Sequence, residues 1–381
     1  MKIAIISNTA WYLFNFRLNL LYSLKQEGHT LILIVPKDSY SHKLIEKGFI
    51  IKNIFLDGSS INPIKEFYSL FNISYLLYKN KFDLVLSFTP KVNIYSAISS
   101  ILFKIPFIPS VSGLGRVFIN QNLLTHLVIF LYKLTFHKSL GVFFENLDDK
   151  NLFVSLNIIS KNITIHVPGT GIDLNYFSQY YLEKKLDNLS LTNLNKNIDS
   201  LSFLLIARIL WDKGVGEYVS SARIIRKSYP NIRFKILGFL DAANPSAISR
   251  DVFFEWVEEG VIDYLGQSDD VRPYILDSDC VVLPSYREGL PRSLLEAASM
   301  SRPVITTNVP GCKDTIIDGK TGFLCKSSCV DDLVFTIEKF ISLSKEDKFN
   351  MGINARNFMI NSFDENIVIN KYLTFINSKF L

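Results

Sequence analysis

The sequence predicts an α/β protein of two doubly wound parallel domains facing a central cleft, and three observations lead there. Short runs rich in Ile, Leu and Val alternate with helical patterns along nearly the whole chain, as in βαβ units on parallel sheets. A length of 381 residues exceeds one domain and suits two. A polar stretch with repeated Leu, Asn and Lys separates the two successions and reads as a linker at 181–200. The expected division is therefore a first domain at 1–180, a second at 201–360, and a closing helix at 361–381 that packs back on the first.

In order, residues 3–6 read as the opening strand, their apolar run being too short for a signal peptide. Residues 18–26 suit a helix closed by Gly28, and 30–35 a strand stopped by Pro36. Residues 83–87 repeat the strand pattern, followed by Thr89-Pro90-Lys91 and a helix through Ala97. Further strands are expected at 106–110, 140–144 and 162–166, and residues 167–173 read as the exit loop. The second succession places strands at 201–207, 233–238, 261–265, 281–283 and 303–306.

An apolar content of 48% with 20% charged residues is that of a globular chain. Cys280, Cys312, Cys325 and Cys329 show neither zinc-site spacing nor a disulfide framework, which points to a reducing cytoplasm and buried thiols. The five histidines lack metal spacing, and no nucleophilic triad is visible. No apolar run reaches the ~18 residues of a membrane span. The best, 123–136, is broken by His126 and Lys133, so 117–138 reads either as a segment lying on a membrane interface or as a core helix. Residues 1–180 carry 17 Lys and Arg against 10 Asp and Glu (net +7), and the remainder 24 against 26 (net −2). A basic first half points to a solvated basic face or to an anionic partner, a membrane surface or lipid phosphate rather than nucleic acid.

The chemistry concentrates around Ser285-Tyr-Arg-Glu-Gly-Leu-Pro-Arg-Ser-Leu-Leu-Glu296, between a buried strand and a helix whose first position suits Pro291. Loops at the carboxyl end of a strand are where open α/β sheets bind ligands, and a helix start there favours an anion. Glu288 lies in the loop and Glu296 inside the helix, which advances about 7.5 Å between Pro291 and Glu296 at 1.5 Å per residue. The two carboxylates can thus reach hydroxyls on opposite sides of a bound diphosphate, although glutamates in a first helical turn also serve as plain dipole complements. Arg208 and Lys213, in Ala207-Arg-Ile-Leu-Trp-Asp-Lys-Gly214, follow the first strand of the second half at the same edge and form a candidate diphosphate clamp. Such a clamp neutralises charge on a leaving diphosphate, so no metal is required. Asp277 and Asp279 fall at the opposite, amino end of their strand and read as a turn. Gly238 permits close backbone approach at the ligand edge, and the loop carrying Gln267 can hold a base. In the first half, Asn15, Arg17, Lys91, Gly113 and Arg116 are candidates to line the cleft and bind an acceptor, or are solvated residues.

Arg208…Lys213-Gly214, the segment from Leu283 to Ala298, and Gly311-Cys-Lys-Asp-Thr-Ile-Ile-Asp-Gly-Lys-Thr-Gly322 resemble retaining glycosyltransferases of family 4, which have the GT-B fold of two Rossmann-like domains. The likeness spans nearly the whole chain and is densest from 204 to 324. It implies that Glu288 contacts the donor sugar and Glu296 the ribose hydroxyls. Backbone at Gly289, Leu290 and Pro291 would hold sugar and diphosphate, with Arg208 and Lys213 on the diphosphate. Phe14-Asn-Phe-Arg17, 111–115 and 131–136 are most similar to bacterial α-1,3-N-acetylgalactosaminyltransferases acting on undecaprenyl-diphosphate-linked sugars in O-antigen or N-glycan assembly. The partners so implied are a UDP-sugar, UDP-GalNAc foremost, a polyprenyl-diphosphate-linked acceptor and the anionic inner-membrane surface, with the protein peripheral on its cytoplasmic face. No metal cofactor is expected. Two departures stand out: Asn8-Thr-Ala-Trp-Tyr12 replaces a glycine pair common in the first loop, and no donor-side histidine is identifiable in the first domain. A UDP-sugar 2-epimerase and a non-catalytic binding protein of the same fold are the alternatives.

Overall fold

The computed structural model describes residues 1–58, 60, 62–114, 118, 123–178, 201–240 and 244–380; the expected linker at 181–200 lies outside them. The chain divides into two units, Met1–Thr170 with Asn366–Leu381, and Gly171–Glu365.

The first unit carries seven strands: β1 (Lys2–Ile6), β2 (Thr30–Val35), β3 (Ile50–Asn53), β4 (Leu84–Phe88), β5 (Phe107–Val111), β6 (Val142–Phe144) and β7 (Thr164–His166). They form one parallel sheet in the order β3-β2-β1-β4-β5-β6-β7. The apolar runs read from the sequence become its central strands, because a parallel sheet is covered on both faces. In β1, Ile3 and Ile5 enter one core with Leu20, Leu21 and Leu24, whereas Ala4 and Ile6 enter another with Ile73 and Leu77. Alternate side chains of one strand thus supply two cores.

The second unit repeats the plan with β8 (Ser202–Ile206), β9 (Arg233–Leu237), β10 (Asp263–Tyr264), β11 (Cys280–Leu283), β12 (Val304–Thr307) and β13 (Gly322–Cys325), in the order β10-β9-β8-β11-β12-β13. Its pairs are parallel too. The fold class is therefore as expected, two parallel α/β domains. In each sheet the strand order reverses beside the first strand, between β1 and β4 and between β8 and β11. The carboxyl ends of those strands open the crevice in which doubly wound sheets bind ligands.

Two strands escape the sequence pattern. Edge strand β3 is largely exposed and reads Ile-Ile-Lys-Asn, without a buried run. Strand β13 begins with Gly322, whose absent Cβ would stand 1.9 Å from the Val304 carbonyl oxygen, so glycine is needed for the two strands to pair. Pro291 is the residue capping the helix Arg292–Ser299 rather than its first member, since its ψ of 111° is extended. Asp277 and Asp279 do form the turn into β11, where Asp279 Oδ2 accepts from the Ser202 amide at 2.7 Å. Of the cysteines, Cys280, Cys312 and Cys325 are buried thiols and Cys329 is half-buried.

The helix Glu365–Phe380 closes the chain, and its residues from Asn366 on belong to the first unit. Tyr372 stacks on Phe143 at 3.9 Å between ring centroids and 7° between planes. Its hydroxyl shares a 2.5 Å hydrogen bond with Ser110 Oγ. Among the described residues, no helix is long and apolar enough to cross a membrane.

Candidate active site

The β8/β11 switch point of the second unit gathers most of the singled-out residues. Because β8 and β11 pair directly, the segments leaving their carboxyl ends, 207–214 and 284–291, emerge side by side. Backbone staples hold them together. The Tyr286 amide and Ser285 Oγ both donate to the Asp212 carbonyl, each at 3.0 Å. Gly214 makes this contact possible: at φ +72°, a Cβ there would stand 2.1 Å from the Pro284 carbonyl oxygen.

Within this frame Lys213 Nζ donates directly to Glu288 Oε1, which also accepts from Ser285 Oγ at 2.8 Å. The Lys213 and Glu288 side chains are only 16% and 14% exposed. A cation and a carboxylate so nearly buried require each other, and Ser285 holds the carboxylate at a fixed orientation. Arg208 is exposed just past β8; its carbonyl accepts from the Leu210 amide at 2.8 Å, and its side chain has no hydrogen-bond or ion-pair partner among the described residues. The expected clamp is therefore one lysine held on Glu288 and one arginine open to solvent.

Glu296 has a different neighbour. It lies on the second turn of the helix Arg292–Ser299 and accepts from Arg292 Nε at 3.3 Å. Arg292 itself donates to the Gly171 carbonyl at 3.2 Å. Burial raises the Glu296 carboxyl above the usual range, with the Arg292 charge opposing. Glu296 thus does not touch the two cations of the clamp, although its helix starts at the same sheet edge.

The remaining donor-side candidates divide. Leu290 is half-buried against the core that holds Leu294, and Pro291 caps the helix. Gly238 is needed for contact within the protein: a Cβ there would meet the Ala207 carbonyl oxygen at 1.7 Å, and its amide donates to the Gly266 carbonyl at 2.8 Å. Gln267 is exposed on the loop after β10. Sequence reading missed Gly311 as an individual residue. At φ +80°, its missing Cβ would lie 2.4 Å from the Glu288 carbonyl oxygen and 2.5 Å from that of Gly289. The loop after β12 therefore seats itself under the Glu288-Gly289 backbone, and the Glu288 amide donates to the Pro310 carbonyl at 3.2 Å. Cys312, on the same loop, is pushed up to about 12 by burial and then by the Glu288 charge, so it stays a neutral thiol. Ser285 and Arg292 were also missed as individual roles, because only tertiary pairing separates them from ordinary loop and helix residues.

In the first unit the acceptor-side candidates are mostly engaged. Arg17 is buried against Glu145, its Nη2 donating to Oε1 at 2.5 Å, and both Nε and Nη2 donate to the Tyr12 hydroxyl. Its guanidinium also faces the Phe88 ring at 4.6 Å. Lys91 donates to Glu66 Oε1 at 2.8 Å and to the Asp57 and Ser60 carbonyls, tying down the loop ahead of the helix Pro63–Asn80. Asn15 Nδ2 donates to the Trp11 carbonyl at 2.9 Å, and Gly113 takes a φ of +120° after β5. Arg116 lies outside the described residues. At the end of β4, beside this unit's own switch point, Thr89 holds a φ of +78° with a buried hydroxyl that lacks a partner among the described residues. A non-glycine residue in that region is strained, and such strain gathers at functional sites.

Two family models match, "Glycosyl transferases group 1" over residues 191–358 and "Glycosyl transferase 4-like" over residues 2–146. The chain is 30% identical over 382 residues to the N,N'-diacetylbacillosaminyl-diphospho-undecaprenol alpha-1,3-N-acetylgalactosaminyltransferase of Campylobacter jejuni, covering 98% of this chain and 97% of that one. The chain is a family 4 glycosyltransferase. It is also 25% identical to the UDP-Gal:alpha-D-GlcNAc-diphosphoundecaprenol alpha-1,3-galactosyltransferase of Escherichia coli, over 87% of each chain. Among solved structures, this glycosyltransferase resembles a glycosyltransferase from Rickettsia africae with a TM-score of 0.76 at 19% identity, over 98% of this chain and 97% of that one. It resembles the Anabaena protein HepE with UDP with a TM-score of 0.75 at 15% identity, over the full length of both. These neighbours share the GT-B fold.

Proposed function

We propose that this glycosyltransferase moves a sugar from a UDP-sugar to a polyprenyl-diphosphate-linked sugar with retention of anomeric configuration, the specific reading being GalNAc in α-1,3 linkage. The likeness to the Campylobacter enzyme carries the acceptor part, because it extends over 98% of the chain and so includes the first unit. The Escherichia relative, whose name specifies UDP-Gal and a diphosphoundecaprenol-linked sugar, supports the same classes of donor and acceptor.

Donor chemistry is assigned to the β8/β11 switch point. Arg208 and Lys213 grip the diphosphate, Glu288 accepts from donor-sugar hydroxyls and Glu296 from the ribose, with Gly289, Leu290 and Pro291 lending backbone. The bond from the anomeric carbon to the UDP oxygen breaks as the acceptor hydroxyl attacks from the same face. The hydroxyl proton passes to the departing phosphate. Arg208 and Lys213 stabilise the negative charge that develops there, with no metal ion assigned a part. Glu288 keeps Lys213 in place before the donor arrives. A lipid-linked acceptor together with a UDP-sugar donor fits an enzyme peripheral on the cytoplasmic face of the inner membrane.

The test is to incubate the purified enzyme with a panel of UDP-sugars and a synthetic polyprenyl-diphosphate-linked sugar, then read product linkage and anomeric configuration by NMR. The expected product is an α-linked disaccharide on the lipid. An inverted linkage, or conversion of the UDP-sugar without acceptor, would overturn the reading.

A further inference from the structure

The helix Pro63–Asn80 turns an unusual face to solvent. Its buried side chains are Ser69, Ile73 and Leu77, whereas Ile64, Phe67, Tyr68, Phe71, Tyr75 and Tyr78 are between 50% and 80% exposed. At about 100° per residue these six fall within an arc of about 100°, directly opposite the buried three. The outer face of a helix on a globular protein is ordinarily polar, and here it is largely aromatic. The helix Leu123–Phe136 repeats the arrangement, burying Thr125, Tyr132, Thr135 and Phe136 while Leu127, Phe130 and Leu134 are 52% to 59% exposed. Both helices flank the helix Pro90–Phe103, and both seat their inner residues in the same core against the first sheet. Their apolar stripes therefore point away from one sheet face.

Charge around these stripes is mostly positive, the nearby acids being Asp57, which Lys65 holds at 3.2 Å, and Asp83, which accepts from the Lys2 amide at 2.6 Å. Lys79, Lys81, Lys104, Lys133 and Lys138 are all exposed, within or just past the last turns of these three neighbouring helices. The helices Pro90–Phe103 and Leu123–Phe136 contain no Asp or Glu, and Pro63–Asn80 contains only Glu66, which Lys91 already holds at 2.8 Å. Aromatic rings edged by lysines match the boundary between acyl chains and anionic headgroups, where tyrosine keeps its hydroxyl wet and its ring buried. Lysine is depleted at protein–protein interfaces, whereas it is favoured beside anionic headgroups.

We propose that the outer faces of Pro63–Asn80 and Leu123–Phe136 form one docking surface for an anionic lipid bilayer, with Pro63–Asn80 its principal contact. This deepens the lipid-linked-acceptor reading by naming the surface, but it rests on exposure and charge alone and can fail separately. The test floats the full chain with phosphatidylcholine vesicles and with vesicles that also contain phosphatidylglycerol. Wild type should bind the anionic vesicles, less so as salt is raised. The double variant F67E/F71E should bind at least about tenfold more weakly, with an unchanged melting temperature because both residues are exposed. Transfer to a water-soluble, short-chain acceptor should survive in that variant. Wild-type binding by the variant, or no binding by wild type, would overturn the proposal. So would a wild-type dimer in sedimentation velocity that F67E/F71E dissociates. Absence of transfer in both proteins, with vesicle binding intact in wild type and lost in the variant, would sink the acceptor reading and leave the docking surface standing.

Discussion

Arg208 and Lys213 share an assignment on the diphosphate, yet their surroundings differ enough to separate catalysis from stability. The Arg208 side chain is exposed without a partner among the described residues, so R208A should leave the stability nearly unchanged, within about 0.5 kcal/mol. Lys213 neutralises the nearly buried Glu288, and K213A strands that carboxylate at a cost of about 1–3 kcal/mol. Both variants should lose turnover by roughly two to four orders of magnitude if each cation stabilises the transition state by about 3–5 kcal/mol. Thermal melts beside steady-state rates check this, and wild-type turnover in both variants would defeat the clamp. Glu296 makes a pH prediction. Burial raises its carboxyl, so the folded state holds the proton more tightly than the unfolded chain does. The stability this provides is present at acid pH and is lost as pH rises through the raised value. Ribose hydroxyls donate best to the ionised form, so UDP affinity should rise with pH through a midpoint above that of an ordinary glutamate. The variant E296Q should show a flat profile by titration calorimetry.

Among the elements, the helix Glu365–Phe380 has the clearest structural task. It buries Val368, Ile369, Tyr372 and Ile376 in the core on one face of the first sheet, beside the Arg17–Glu145 pair. Tyr372 stacks on Phe143, bonds Ser110 and lies 5.8 Å from the Arg17 guanidinium. Y372A should therefore destabilise the protein by about 3–5 kcal/mol, read as a lowered denaturant midpoint. Y372F should recover most of that, because the stacking outlasts the hydroxyl. The strands show why one element is legible in sequence and another is not. Strands β1, β2 and β4 are buried on both faces, and that demand writes an unbroken apolar run. Edge strand β3 has no such demand, so its four residues look like any loop.

For the molecule as a whole, every residue assigned to the donor lies in the unit Gly171–Glu365, and every acceptor-side candidate in the other. UDP alone should then slow amide hydrogen exchange around 207–214 and 284–296, with the first unit's switch-point segments, 7–9 and 87–91, unaffected. Equal protection at both switch points would contradict that division. The charge balance follows the same line, since the net positive charge lies in the half that carries the aromatic helices.

The sequence alone determined the alternation of strands and helices, the central strands of both sheets, and the position of the loop around Glu288 between a strand's carboxyl end and a helix start. Each of these is a local demand, for burial on two faces of a strand or for a helix start at a strand's end, and local demands leave a readable pattern. Tertiary structure decided which charges meet. It held Lys213 on Glu288, gave Glu296 to Arg292, and withdrew Arg17 into a pair with Glu145, 128 positions along the chain. It also turned the aromatic side of Pro63–Asn80 outward, which periodicity cannot reveal: a stripe of apolar residues reads the same whether its partner is the protein's own core or a surface beyond it.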